Sequence, residues 1–529
     1  MSGNELVGTG TLVRLAVRRD RLMPLWVLVL GVLPASTYRT YEQLYPTVAD
    51  RAGLTATMGS SSTLVVMYGQ PYDLTTAGGF TSWRMSAFLA LFTGLLAVFT
   101  VVRHSRAEEE SGRAELLAAG VVGRYALPAA ALLTAAGAAA GVGLVECLSL
   151  LGAGAPSAGA VAMATGTAAV GVVFAAVAVV TAQLASFGRS ANAIASSVLA
   201  VSYLLRAAGD SNDSLHWLSW VSPLSWATHL RPFAHERWWP LLLALAAVVA
   251  LLVAARVLLR RRDVGSGVLA PADGPARAPA TLSTSWTLAW RLQRTSLLVW
   301  TIGVAVFGAA LGSLAGSVAD VMGDNAGVTD IVRDMGGTSA LTDAFAALTV
   351  AMFGLIAAVY AVQAMLHARA EEAQGRAEPV LATGTTRVQW LSSHLVQSLA
   401  GSAVLVLVAG LTIGATAGAA SDVSPAQVLE GAAIQLPAVW VFAGLACLLV
   451  GLLPRAVAVA WVAVGLAVGL WFFGPLLRLD DAVLDVSPFQ HVPQVPGGDV
   501  TAAPLLALGC IAVALIVAGL VGFRRRDVG

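Results

Sequence analysis

Arg106-Ala-Glu-Glu-Glu-Ser-Gly-Arg-Ala-Glu115 returns 263 residues later as Arg369-Ala-Glu-Glu-Ala-Gln-Gly-Arg-Ala-Glu378. Three further anchors recur in the same order at offsets of 264 to 266 residues: Val221-Ser-Pro223 with Val486-Ser-Pro488, Arg260-Arg-Arg-Asp-Val-Gly265 with Arg524-Arg-Arg-Asp-Val-Gly529, and Arg189 with Arg455. Four matches in one register are hard to obtain by chance. The chain therefore reads as two copies of one unit, residues 1–262 and 286–529. Residues 263–285, rich in Pro, Ala, Gly and Ser, form a linker between them.

Outward from the quoted loops the chain is apolar. It is 57% hydrophobic and 12% charged, with a mean hydropathy of +0.78. A soluble domain carries roughly 25% charged residues. A bilayer solvates such a surface, and a spanning helix needs about 20 apolar residues. Runs of that kind fall at 22–40, 83–103, 125–152, 158–187, 191–208 and 238–259 in the first half. In the second they fall at 295–316, 344–366, 388–418, 427–453, 456–477 and 502–523. The expected fold is an all-α integral membrane bundle of about 12 transmembrane helices. Six spans per half make the repeat parallel, about an axis along the membrane normal, with a pathway between the halves. The run behind Arg18, Arg19 and Arg21 resembles a signal peptide, but its twin at 295–316 lies mid-chain, so both read as spans.

Twelve crossings put both termini on one side. Alternating the connections collects 23 of the 31 arginines on the side of the termini and 8 on the other. The arginine-rich side is the cytoplasm, which makes the chain a multi-pass plasma-membrane protein. The opposite loops are acidic, with Asp320, Asp324, Asp330, Asp334 and Asp343, then Asp480, Asp481 and Asp485. They lack the spacing of a calcium loop and read as solvated.

Several chemistries drop out. All 31 cationic residues are Arg, so a P-loop lysine is absent and any ATP must be bound by another chain. Cys147, Cys447 and Cys510 sit in apolar runs without metal or disulfide spacing, and the seven His are scattered. The sequence offers no catalytic residue, metal site, cofactor or nucleic-acid partner.

The repeated loop carries the chemistry that is left. Read as a continuous helix, Glu108 and Glu115 share a face, as do Glu371 and Glu378. Arg106 and Glu110 become helical neighbours. The candidate docking residues are Glu108, Glu109, Glu110, Gly112 and Glu115, with Glu371, Glu372, Gly375 and Glu378 in the twin. A solvated juxtamembrane loop is the plainer reading, and recurrence in both halves favours docking. Segments 11–22 and 284–294 mix Arg with Leu, Val and Trp and read as amphipathic helices on the inner leaflet, or as plain positive flanks. Gly308/Gly312/Gly316, Gly410/Gly414/Gly418 and Gly137/Gly141 are stripes that permit close helix approach, most simply generic packing.

The quoted loop resembles the acidic-Gly-acidic coupling segment of ABC-2 type exporter permeases. More of the chain is similar to the duplicated permeases of actinobacterial polyketide-antibiotic exporters. The residues concerned are Tyr68-Gly-Gln-Pro-Tyr-Asp-Leu74, Gly78-Gly-Phe-Thr-Ser-Trp-Arg84, Arg231-Pro-Phe233, Trp238-Trp-Pro240 and the stretch from Gln363 to Glu378. The resemblance implies a permease subunit that is no enzyme itself. A separate cytoplasmic ABC ATPase, present as a pair, would dock on the two loops. It further implies elbow helices bordering that ATPase, short re-entrant outer helices at 209–237 and 478–501, and hydrophobic or amphipathic cargo of the polyketide-antibiotic or drug type. An aromatic belt explains the Trp residues of 209–237 equally well. Pro379 replaces Leu116 and is expected to shorten the second docking helix.

Sparse polar groups mark a candidate substrate pathway: Glu146, Gln183, His394 and Gln397. Glu146 lies 22 residues beyond Arg124 and at about 1.5 Å per residue comes near the outer surface. The alternatives are a proton-coupled secondary drug efflux transporter, which needs deep titratable groups, and a membrane scaffold without transport.

Overall fold

The computed structural model describes residues 5–48, 51–52, 55, 62–118, 120, 122–263, 265–269, 276–313, 315, 338–421, 423–477, 480–497 and 500–527. Its regular elements are all helices, and it divides into two compact units, Met1–Gly274 and Pro275–Gly529.

In the first unit, α1 (Thr9–Arg19) meets α2 (Met23–Leu44) at a bend of 76°. Pro24 stands in the first turn of α2, where its missing N–H costs nothing but where it cannot continue a preceding helix. There follow α3 (Ser62–Tyr68), α4 (Ala77–Arg103), α5 (Arg106–Glu110) and α6 (Arg113–Ala118). The long helices α7 (Ala126–Gly152), α8 (Ser157–Leu184) and α9 (Gly188–Ser211) come next. Short α10 (Trp217–Val221) and α11 (Pro223–His229) then lead to α12 (Pro240–Arg261).

Helix α8 is the centre of this unit. It packs against α4, α7, α9 and α12. Lipid tails are as apolar as leucine, so helices associate by close packing of small residues. A Cβ on Gly143 would stand 2.7 Å from the Ala164 carbonyl, and one on Gly171 would stand 2.6 Å from the Ala139 side chain. Helix α12 instead turns Leu242, Leu245, Val249 and Val253 outward, a surface that only lipid covers without penalty.

The second unit contains α13 (Ser285–Ser313), α14 (Thr338–Ala373), α15 (Ala377–Leu381), α16 (Arg387–Ala420), α17 (Pro425–Ala433) and α18 (Leu436–Leu452). It ends with α19 (Ala458–Leu477), the short α20 (Asp481–Leu484) and α21 (Ala502–Arg525). Helices α18 and α21 touch backbone to backbone, since a Cβ on Gly519 would lie 2.6 Å from the Cys447 carbonyl. Gly308 and Gly312 face Thr412 and Thr416, while Gly410, Gly414 and Gly418 face α17. These stripes are packing surfaces, whereas Gly137 has open space beside it. Gly316 lies outside the described residues, as do Asp320, Asp324, Asp330 and Asp334.

The structure bears on three expectations. Among the described residues ten helices are long and apolar enough to cross a membrane, or eleven if the bent pair α1–α2 is one span, where twelve were expected. The remaining run, 456–477, is α19, a helix of 20 residues whose described apolar part is Ala458–Trp471. The separate amphipathic helix expected at 284–294 is the start of α13, which runs unbroken through Arg291 and Arg294 because no proline interrupts it. Finally, residues 265–269 of the expected linker are bound to the first unit: Val268 and Leu269 donate backbone N–H bonds to Gln183 and Leu184 at 3.0 and 2.9 Å.

Candidate functional site

The repeated acidic loop is not one helix. In the first unit α5 stops at Glu110 and α6 begins at Arg113, with Gly112 at φ +73° between them. In the second, α14 ends at Ala373, α15 begins at Ala377, and Gly375 has φ +68°. Left-handed backbone costs a side chain about 1–2 kcal/mol, so glycine ends each helix. Glu108 and Glu115 therefore occupy separate helices, and so do Glu371 and Glu378. Pro379 sits in the first turn of α15, where no N–H is required, so a helix of five residues still forms, one residue shorter than α6.

Most of the candidate acids are engaged inside their own unit. Glu109 Oε2 accepts from Arg106 Nη1 at 2.7 Å and from Arg262 Nη1 at 2.7 Å, and its Oε1 accepts from Arg262 Nη2 at 2.6 Å. Arg106 pairs with Glu109 rather than with Glu110. Its other donors reach the carbonyls of Ser186, Gly265 and Ser266 at 2.7 to 3.0 Å. Glu110 accepts from the backbone N–H of Gly188 at 2.9 Å, at the positive N-terminus of α9. Glu108 pairs with Arg113 at 3.1 Å and with Arg19, at the end of α1, at 2.9 Å. Asp20, just past α1, pairs with Arg103 at 3.0 Å. The elbow thus borders the loop.

The second unit repeats the arrangement. Glu372 pairs with Arg369 at 3.0 Å and with Arg526 at 2.5 Å. Glu371 pairs with Arg376 at 2.6 Å, as Glu108 does with Arg113. Arg124 donates to the Leu259 carbonyl at the end of α12, and Arg387 to the Arg526 carbonyl after α21, at 2.9 and 2.8 Å. Solvent reaches Glu115 and Leu116 on α6 and Glu378 and Pro379 on α15, together with Glu110, Ser111 and Arg113 in the first loop and residues 373–376 in the second. Leu116 is 77% exposed, unusual for an apolar side chain on a charged loop.

The pathway candidates divide between the two units. Glu146 and Gln183 belong to the first unit, His394 and Gln397 to the second. Gln183 Oε1 accepts from Arg262 Nε at 2.7 Å, which makes it a partner of the loop network. Glu146 is fully buried, with Thr167 beside it. Distance along the helix gave its depth but not the neighbours that cover it. His394 is buried with Nδ1 3.0 Å from Gln293 Nε2, and Gln397 is half-buried.

At the other end of α4 a second cluster forms. His229 on α11 stands 3.0 Å from the Tyr72 hydroxyl through Nδ1 and 3.1 Å from Ser219 Oγ through Nε2, and stacks on Trp220. Burial, reinforced by the charges of His216, Arg231 and Arg237, pushes His229 down to about 4. Burial also raises the Tyr72 phenol, against the lowering pull of Arg231. The Phe233 ring wedges against Gly78 and Gly159, and Arg231, Phe233 and His235 all have positive φ. Short helices do stand where sequence placed them, in 209–237 and in 478–501.

Sequence reasoning missed Arg262, Arg526, Arg19 and the Gly188 N–H. The repeated Arg-Arg-Arg-Asp-Val-Gly tails were the available signal for the first two.

Comparison with known proteins agrees with this architecture. The family model described as "Multidrug efflux system permease Rv1217c, C-terminal domain" matches residues 16–260 and 282–524, one stretch in each compact unit. The multidrug efflux system permease protein Rv1217c of Mycobacterium tuberculosis (strain ATCC 25618 / H37Rv) is 44% identical over 533 residues, covering 99% of this chain and 96% of that protein. With its long apolar helices this is a multi-pass plasma-membrane protein. The chain belongs to the family of the multidrug efflux system permease Rv1217c.

Proposed function

We propose that this chain is the membrane-spanning permease of an ATP-driven exporter of the ABC-2 type. It moves hydrophobic or amphipathic compounds, of the drug or polyketide-antibiotic kind, out of the cell. The relative's description as a multidrug efflux permease supports the exporter class. ATP is hydrolysed by a separate cytoplasmic ABC subunit, in two copies, because this chain has no lysine with which to build a P-loop. Both loops lie on the cytoplasmic side by the arginine distribution.

The observation that carries the proposal is an acidic helix end broken at a left-handed glycine and followed by a short helix, built twice with matching ion pairs and an exposed acid on each short helix. Internal pairing of Glu108, Glu109, Glu371 and Glu372 shapes the loop around Gly112 and Gly375. Glu115, Leu116 and Glu378 then meet the ATPase. The test is co-purification with a Walker-type ATPase, sought first in the neighbouring reading frame. Glu115→Arg with Glu378→Arg is expected to weaken both complex formation and drug-stimulated ATP hydrolysis. Unchanged hydrolysis and efflux in the double variant would remove the docking assignment. A maleimide label on Gly112→Cys that reacts only from outside the cell would remove the topology.

A further inference from the structure

The arginine tails recur in both halves, and docking makes no use of them. Arg262 and Arg526 follow directly on the last long helix of their units, α12 and α21. In each case the guanidinium turns back to the second acid of the acidic loop: Arg262 to Glu109 at 2.6 and 2.7 Å, Arg526 to Glu372 at 2.5 Å. In each case the same acid is also held by an arginine one turn earlier, Arg106 or Arg369. The two sites thus share three residues in one arrangement, built independently in two units.

The first site is the tighter. The Arg262 side chain is 3% exposed and that of Arg526 is 18%. Arg262 also donates to Gln183 Oε1 near the end of α8 and to the Ser266 carbonyl at 2.9 Å. A guanidinium is a planar fork that can hold a carboxylate with two bonds and still present a third donor elsewhere, and an ammonium cannot reproduce this geometry. Through Arg262 the loop is fastened to α12 and to α8 at once. Arg124 and Arg387 cap the same helix ends from the base of α7 and α16, so those ends are themselves fixed.

From this geometry we infer that Arg262 and Arg526 are positioning residues, each of which latches the acidic loop to the last helix of its own half and delivers any displacement of the loop to that helix. The latch is a property of each unit. Its role in transport rests on the docking reading above.

Hydrogen exchange of the full chain in lipid nanodiscs tests the latch without any ATPase. Arg262→Gln is expected to speed exchange over 106–118 by roughly 10²-fold, the scale for losing one partner of a buried ion pair, and to leave 369–381 unchanged. Arg526→Gln should do the reverse with a smaller factor. Arg262→Lys keeps the charge, loses the fork and should fall between wild type and Gln, which guards against simple misfolding of the Gln variant. Unchanged exchange of the variant's own loop, or equal acceleration of both loops, overturns the latch. With the ATPase bound, Arg262→Lys should lower transport per ATP hydrolysed by about tenfold, the scale of one charge-assisted hydrogen bond. Parallel loss of hydrolysis and transport, or no loss of either, overturns the transmission role. If wild-type chain captures no ATPase, the docking reading fails while the exchange experiment still decides the latch.

Discussion

Replacing Glu109 by Gln removes one negative charge and leaves two guanidiniums facing each other. The structure sets the magnitude. Arg106 and Arg262 are 1% and 3% exposed, and Glu109 itself 8%, so water cannot take the place of the carboxylate. Removing one partner of such a buried group costs about 3–5 kcal/mol. The same change at Glu372 leaves Arg369 and Arg526, which are 30% and 18% exposed. Water reaches these cations, and about 1–2 kcal/mol is expected, between the buried and surface cases. For units of this size 1 kcal/mol moves a melting midpoint by roughly 2–4 °C, so Glu109→Gln should lower the first unit's midpoint by about 6–20 °C. The thiols provide a reporter in each unit, since Cys147 is half-buried on α7 and Cys447 fully buried on α18. In single-cysteine variants heated at one scan rate with a thiol-reactive dye, Glu109→Gln should unmask Cys147 early and spare Cys447. Glu372→Gln should act on Cys447 alone, and less. Equal shifts at the two thiols would show that burial does not govern these ion pairs and would refute the reasoning.

Gly112→Ala and Gly375→Ala should each cost about 1 kcal/mol, all of it from left-handed backbone, because a Cβ there meets nothing within 4 Å. Asn, which tolerates that conformation, should cost less in the same melts, and an Asn variant as unstable as Ala would contradict the account. His229 is held neutral by burial with its pKa near 4, below an unfolded value of about 6.5. Its contribution is therefore complete above about pH 6.5 and is lost as pH falls from there toward 4. Proteolysis of the 212–238 segment should accelerate over that window, and His229→Gln should flatten the profile; the same profile in both proteins would refute the assignment. Gly159→Ala would put a Cβ 2.1 Å from the Phe233 ring and should cost about 1–3 kcal/mol. Adding Phe233→Ala should recover part of that loss, and strict additivity of the two changes would deny the contact.

The helices were legible because length and apolarity are properties of a segment alone. The two acidic loops were legible because they recur. What stayed hidden depended on partners distant in sequence. Glu108 and Glu115, seven positions apart, suggested one helical face, yet the glycine between them breaks the helix; Gly after a polar residue was the overlooked stop signal. Gln183 stood out because it is polar in an apolar run, and the run says nothing of its partner Arg262, 79 positions away. Glu146 looked shallow because rise per residue measures depth along a helix and says nothing about which helices cover its side.

Arginine shows the same limit from another direction. Counting arginines by loop treats each as an interchangeable positive charge that sets orientation. Arg262 and Arg526 enter that count beside Arg261 and Arg525, yet only the third residue of each tail reaches a loop acid. The two roles depend on different properties of the side chain. Orientation needs charge, which Lys supplies; the latch needs a fork whose donors fit one carboxylate and a second acceptor together. Changing all three tail arginines of one half to Lys should therefore keep the orientation of the chain and loosen its loop. Changing the first two alone should leave the loop as it is.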